Sequence, residues 1–261
     1  MDRKILKDMI KQQDLTIGLF QQIVDPDVTE NLALAGFDYI ILDLEHTGKT
    51  IESAYPCIMA AYGRDVPMLV RVTEKAQWLI EQALDAGAQG VIVPTVETVE
   101  DCELIIKSAR YAPEGERGMC PVIPASRWMN NYCSETYTKD ANRDIFVGVL
   151  VETPLGIKNL PEMLKVDGID AFLLGSGDLS IRLGKSMWDP EVKEIIANAM
   201  NQITAAGKIS VPIGLLSNIS DLHKNGAKMV MLGMNDPMAI QQRMGEELEG
   251  MREIVRDLAK E

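Results

Sequence analysis

The chain has 261 residues, 46% of them hydrophobic and 25% charged, which is enough to bury a substantial core and unlike a disordered or collagenous polymer. Its net charge of −13 speaks against nucleic acid or an anionic membrane surface as a partner, since both draw on clustered Lys and Arg. No segment is apolar for long enough to span a bilayer, and Met1-Asp2-Arg3-Lys4-Ile5-Leu6-Lys7-Asp8 mixes charges where a signal peptide would be apolar, so a cytoplasmic location is expected.

Apolar, β-rich runs alternate with amphipathic stretches of helical length, with no low-complexity linker and no shift in composition. The run 16–20 comes first, then 39–43, where Phe37-Asp38-Tyr39-Ile40-Ile41-Leu42 breaks into Asp43-Leu44-Glu45-His46. A strand this apolar is covered on both faces, so the ionisable cluster belongs at its carboxyl edge. Runs 68–71 and 90–94 follow, separated by a helix over 76–86 whose Trp78, Leu79, Gln82, Ala83 and Ala86 share a face and which Gly87 ends. The stretch 111–144, rich in Pro, Gly and Asn, is too long for an ordinary connection and reads as a loop covering an active site. Strands at 147–152, 171–175, 209–213 and 228–232 complete the series, and an amphipathic segment over 238–258 ends it. Ala35-Gly36, Ala86-Gly87 and Asn225-Gly226 each stop a helix just before a strand. A count of about eight βα units favours an α/β fold of the (β/α)8 TIM-barrel type, one domain over residues 1–261, rather than an open doubly wound sheet. No G-x-G-x-x-G opens a helix after the first strand and no phosphate-binding P-loop occurs, so no organic cofactor is expected.

The polar residues that interrupt these strands at their carboxyl ends are Asp43, Glu45 and His46, then Arg71, then Glu152, with Asp178 just past the sixth strand. In a barrel they share one face. Glu152 and Asp178 lie about one βα unit apart, on neighbouring strands, and two like charges there call for a hard divalent cation, Mg²⁺ or Mn²⁺. The competing reading pairs Glu152 with a buried Arg or Lys and makes Asp178 a turn cap. Arg71 serves either a substrate carboxylate and developing oxyanion charge or a salt bridge to Glu45 or Glu152. His46 is a general base oriented by Asp43 in one reading and a solvated loop histidine in the other. His223 sits near a helix end and complements its dipole. Cys57, Cys102, Cys120 and Cys133 form no C-x-x-C pair and read as reduced packing thiols, not a zinc site. A Gly-x-Ser-x-Gly elbow is missing and no lysine closes a core strand, which disfavours a nucleophilic hydrolase and a Schiff-base aldolase.

With these residues in place the chain resembles the HpcH/HpaI family of metal-dependent class II pyruvate aldolases, 4-hydroxy-2-oxo-heptanedioate aldolase among them. The resemblance runs over nearly the whole chain, through Ala35-Gly36-Phe37-Asp38 leading to Asp43-Leu44-Glu45-His46, Val70-Arg71, Tyr111-Ala112-Pro113, Glu116-Arg117-Gly118, Ala125-Ser126-Arg127-Trp128, Val151-Glu152-Thr153, Lys158-Asn159-Leu160-Pro161 and Gly175-Ser176-Gly177-Asp178-Leu179-Ser180. It implies that Glu152 and Asp178 ligate a divalent metal (Mg²⁺, Mn²⁺ or Co²⁺) and that the backbone of Gly177 and Asp178 receives the pyruvate carboxylate. Arg71, supported by Glu45, would stabilise the enolate, and a His46–Asp43 dyad would move a proton through water. The implied reaction cleaves a 4-hydroxy-2-oxo acid to pyruvate and an aldehyde through a metal-stabilised enolate. A homohexamer that exchanges its last helix is implied as well. The chain departs from the family pattern at Leu150, where Gln is common, at Ser176-Gly177, where Pro-Ala is common, and at Phe20, where Trp is usual; Phe20 and Leu150 thus line the expected substrate site. Two alternatives remain: a carbon–carbon lyase like the related citramalyl- and malyl-CoA lyases, and a catalytically silent barrel that binds keto acids.

Overall fold

Apolar runs that need cover on both faces find it in parallel pairing. The computed structural model describes residues 3–130 and 134–260. Strands β1 (Thr16–Gln21), β2 (Tyr39–Asp43), β3 (Met68–Arg71), β4 (Gly90–Val93), β5 (Phe146–Val151), β6 (Ala171–Leu174), β7 (Ile209–Val211), β8 (Ile213–Gly214) and β9 (Met229–Leu232) form one sheet in the order β7-β6-β5-β4-β3-β2-β1-β9-β8. Every pairing is parallel. β7 and β8 are halves of one stretch broken at Pro212, which has no N–H to give to a ladder. The first half pairs with β6 and the second with β9, and the Pro212 carbonyl accepts a hydrogen bond from Met231 N at 3.0 Å. The two ends of the sheet are therefore continuous through Pro212 and the sheet closes into a (β/α)8 barrel, as the strand count anticipates. All eight anticipated strands are present.

The helices are α1 (Leu6–Gln12), α2 (Pro26–Leu34), α3 (Ile51–Gly63), α4 (Gln77–Asp85), α5 (Val99–Ala109), α6 (Ser134–Asp144), α7 (Pro154–Met163), α8 (Ser176–Arg182), α9 (Pro190–Ala205), α10 (Ile219–Lys224) and α11 (Asp236–Leu258). Gly36, Gly87 and Gly226, the anticipated helix stops, have φ of 96°, 100° and 82°, a left-handed turn that glycine makes without steric cost.

Period-2 alternation divides the buried residues into two cores. Ile40, Leu42, Val70, Val91, Val147 and Val149 point outward to the helices, whereas Tyr39, Ile41, Leu69, Ile92, Phe146 and Leu150 fill the barrel. Leu6 and Ile10 of α1 join the inner cluster. Carrying the inward parity one step beyond the apolar layers reaches Asp43, Arg71 and Glu152, which the fold thus aims into the C-terminal mouth.

The segment 111–144 is a correction. The sequence places it over the active site, but α5 returns the chain from the strands' carboxyl ends to their amino ends, and its described residues, 111–130 and 134–144, lie there. Arg117 Nη2 reaches Asp85 at the end of α4 (2.6 Å), and Asn142 brackets Tyr111 by accepting from its N–H (2.8 Å) and donating to its carbonyl (2.9 Å). A connection that follows a helix and precedes a strand starts and ends at the face opposite the mouth of its own barrel.

Along α11 only Asp236 is buried. Met244, Leu248, Met251, Val255 and Leu258, all exposed, repeat every four and three residues, the spacing of a coiled-coil seam.

Candidate active site

Asp43 and Arg71 are direct partners across β2 and β3. Arg71 Nε donates to Asp43 Oδ1 at 2.8 Å and Nη2 to Oδ2 at 2.7 Å, a bidentate pair in which Asp43 is fully buried. Gln22 Nε2 adds a bond to Oδ2 (3.2 Å) and the Glu45 N–H one to Oδ1 (3.0 Å). Burial pushes the Asp43 carboxyl up, but the hydrogen bonds and charge of Arg71, with those from Gln22 and the Glu45 N–H, outweigh it and hold the carboxyl below its usual range. Arg71 Nη1 lies 3.1 Å from Glu45 Oε2, and the guanidinium stacks 4.4 Å from the Phe20 ring centroid. A guanidinium has five N–H donors; Asp43 takes two and Glu45 faces a third, so the remainder are free for the mouth.

The anticipated Asp43–His46 side-chain dyad is not what the side chains make. Both Asp43 oxygens belong to Arg71, and the nearest tie to His46 is its backbone N–H, 3.5 Å from Oδ1. The exposed imidazole instead has Nε2 3.6 Å from Glu45 Oε2. Burial raises the Glu45 carboxyl above its usual range; Glu152 and Asp43 push the same way, against Arg71 and His46. Glu45 thus stands between Arg71 and His46.

Glu152 follows β5 and is buried, with Oε1 accepting from Thr95 N at 2.9 Å and from Thr95 Oγ1 at 2.8 Å. Thr95 has φ of 51°, a left-handed conformation that a β-branched residue adopts only when its surroundings hold it there, at about 1–3 kcal/mol. On the other side a Cβ built on Gly175 would fall 2.6 Å from Glu152 Cβ and 2.7 Å from Oε2, so only glycine lets the carboxylate lie against the end of β6. Asp178 is in the first turn of α8, exposed. Among the described residues no Lys or Arg ion-pairs with Glu152 or Asp178, and Asp178 caps no helix, so the purely structural reading of this pair is not realised. One carboxylate just past β5 and one in the helix that follows β6, the first buried and with no Lys or Arg ion pair among the described residues, suit a hard divalent ion with oxygen ligands. No cluster of three or more His, Cys, Asp or Glu side chains among the described residues could hold a metal, so water or substrate oxygens would complete its shell.

Leu150 lies in the inner cluster one step below Glu152. His223 is in the last turn of α10, as anticipated. Cys57, Cys102 and Cys120 are free thiols; Cys133 falls outside the described residues. Sequence reasoning missed Thr95, the role of Gly175, and a chain of contacts behind Asp43: Asn235 Nδ2 donates to Gln22 Oε1 (2.7 Å), while buried Asp236 accepts from the N–H groups of Gln22 (2.7 Å) and Ile23 (2.8 Å). Register signals Gly175, since Val151 pairs with Leu174 and places Glu152 beside Gly175.

The family model described as HpcH/HpaI aldolase/citrate lyase matches residues 16–242. The chain belongs to this family. It is 32% identical over 248 residues to the 2-keto-3-deoxy-L-rhamnonate aldolase of Escherichia coli strain K12, covering 91% of each chain. Among solved structures, citrate synthase SbnG is similar with a TM-score of 0.89 and 27% identity over 97% of this chain and 99% of that one. Macrophomate synthase, at 21% identity, shares the fold with a TM-score of 0.87, over 98% of this chain and 92% of that one. As an HpcH/HpaI family member the protein is a carbon–carbon lyase of the metal-dependent aldolase type.

Proposed function

We propose that the protein reversibly cleaves a 4-hydroxy-2-oxo acid to pyruvate and an aldehyde, with Glu152 and Asp178 holding the divalent metal. The observation that carries the assignment is Glu152: buried, with no Lys or Arg ion pair among the described residues, and fixed between Thr95 and Gly175. When bound, Mg²⁺, Mn²⁺ or Co²⁺ supplies Lewis-acid polarisation of the keto oxygen. The backbone N–H groups of Gly177 and Asp178 take the substrate carboxylate. His46 removes the 4-hydroxyl proton through water, the C3–C4 bond breaks, and its electron pair passes into the pyruvate enolate. The free N–H donors of Arg71 face the enolate oxygen, and Asp43 and Glu45 hold the guanidinium there. Protonation at C3 then gives pyruvate. Phe20 and Leu150 shape the apolar wall of the pocket.

The E. coli relative's name makes 2-keto-3-deoxy sugar acids the first substrates to assay. Glu152→Ala and Asp178→Ala should each abolish metal-stimulated pyruvate release, and activity retained in chelator would sink the reading. Exchange of pyruvate methyl protons in D₂O with added metal tests enolisation without knowledge of the aldehyde; no exchange with any divalent ion would favour a silent keto-acid-binding barrel, and turnover only of acyl-CoA substrates would favour a CoA lyase. We also assign the exposed seam of α11 to a homo-oligomer, a hexamer by family resemblance, in which the helix packs on a neighbouring subunit. No helix among the described residues is long and apolar enough to cross a membrane, and the charge balance fits a cytoplasmic enzyme.

A further inference from the structure

At the end of the barrel opposite Glu152 and Asp178, α6, the chain just before α1, and residues 117–130 surround a cavity of about 500 Å³. Four arginines, Arg3, Arg117, Arg127 and Arg143, line it in a chain whose net charge is −13. What each guanidinium already touches decides what the cavity can hold. Arg143 is neutralised by Asp140 (2.8 Å) and Asp144 (2.6 Å), the two acidic groups that also line the cavity. Arg117 is buried, donates Nη2 to Asp85 at 2.6 Å and lies 4.6 Å over the Tyr111 ring, yet its Nε–H is sealed from solvent with no acceptor. Arg3 donates to the Gly87 carbonyl at 3.1 Å and stacks on Tyr62 at 5.3 Å, with no ion-pair partner among the described residues. Arg127 accepts from Asn130 N at 2.9 Å through its carbonyl, but its guanidinium has neither a hydrogen-bond partner nor an ion-pair partner among the described residues. It begins a run of three non-glycine residues, Arg127, Trp128 and Met129, with φ of 55°, 56° and 67°, so its backbone is held in a conformation the sequence does not favour.

We infer that this cavity is a binding site for a small anion bearing a carboxylate or phosphate group, gripped by Arg117, Arg127 and Arg3. Guanidinium forks match the paired oxygens of both groups, and a rotation of the Arg117 side chain toward the cavity it lines would give its orphaned Nε–H an acceptor on the anion. Burial chiefly, and the like charge of Arg127, lower the pKa of Arg3 to about 10, which a bound anion would reverse. Ser126 is buried and uses its hydroxyl on the carbonyls of its own turn, so the wall that presents Arg127 is built before any ligand arrives. Arg117 and Arg127 belong to sequence motifs, Glu116-Arg117-Gly118 and Ala125-Ser126-Arg127-Trp128, that the metal site does not use.

Isothermal titration with inorganic phosphate and with malonate tests it, using the full chain and a Glu152→Ala/Asp178→Ala variant whose mouth cannot organise a metal-bound acid. One saturable site per chain is expected in both proteins, weakened about tenfold or more by Arg127→Ala and by Arg117→Lys, which keeps the charge but removes the Nε–H. Binding of phosphate alone would identify a phosphate ester as the ligand class, and binding of malonate alone a carboxylic acid. Arg127 is exposed, so its loss should leave the melting temperature in place. No saturable binding, or binding indifferent to both substitutions, would overturn the inference. So would a failure to bind accompanied by a change of mass in light scattering on Arg127→Ala, since a carboxylate from a second copy would then fill the cavity.

Discussion

Gly175→Ala puts the proposed metal site under a defined strain. The added methyl would be centred 2.6 Å from Glu152 Cβ, whereas carbons in contact keep about 3.5–4.0 Å, so roughly 1 Å of overlap must be relieved. Rotating the carboxylate away removes the 2.7 Å approach to Oε2 but not the approach to Cβ, which is fixed to the backbone of the chain leaving β5. Either β5 and β6 part or Glu152 moves, at about 1–3 kcal/mol of overpacking. A displacement of about 1 Å in a catalytic group commonly lowers rates about 10²-fold. The expected result is a folded protein melting a few degrees lower, with metal affinity reduced and pyruvate release down about 100-fold. Gly177→Ala, where a methyl meets nothing within 4 Å, should leave metal affinity as it is. Calorimetric metal titration and a coupled pyruvate assay read both outcomes. A Gly175→Ala protein that binds metal and turns over like the parent would refute the placement of Glu152 as the determinant of the site.

Asp43→Asn should cost about 3–5 kcal/mol at neutral pH, because it leaves Arg71 without its buried counter-charge. The Asp43 carboxyl is depressed in the folded state, so its stabilisation is full above the unfolded value near 4 and is lost as pH falls through the folded value; the gap between the two proteins in urea melts should close below about pH 4. His46→Ala should slow proton transfer strongly while leaving metal affinity nearly unchanged, since the imidazole faces Glu45; a large loss of bound metal in a calorimetric titration would contradict that division of labour. Met251→Asp with Val255→Asp on α11 should dissociate the assembly without unfolding the barrel, as light scattering with circular dichroism would report, and an unchanged mass would remove the seam as an interface.

The barrel and the rim of its mouth were open to sequence reasoning because both follow from alternation. Tyr39-Ile41-Asp43, Leu69-Arg71 and Phe146-Gly148-Leu150-Glu152 each continue one inward parity from apolar to ionisable residues, and that parity survives any uncertainty in topology. Partner choice was less accessible. Asp43 and His46 are neighbours in sequence, but cross-strand register hands Asp43 to Arg71. Thr95 and Gly175 act through close approach between strands, which no periodicity encodes. The length of segment 111–144 suggests a lid, but its position between a helix and a strand is what sets the face it starts from.

Pro212 leaves the ring with a seam. From β1 through β6 the ladder is continuous and carries Phe20, Asp43, Arg71 and Glu152, whereas residues 209–214 hold their neighbours through two short strands and one proline carbonyl. Local opening is easiest where the fewest backbone bonds must break, so amide exchange is expected to be fastest along the sheet at this seam. A fluctuation there can admit solvent into the inner core while the Asp43–Arg71 rung and the Thr95–Glu152 clasp stay shut. The protein thereby separates the part of its sheet that yields from the part that must keep ångström-level order.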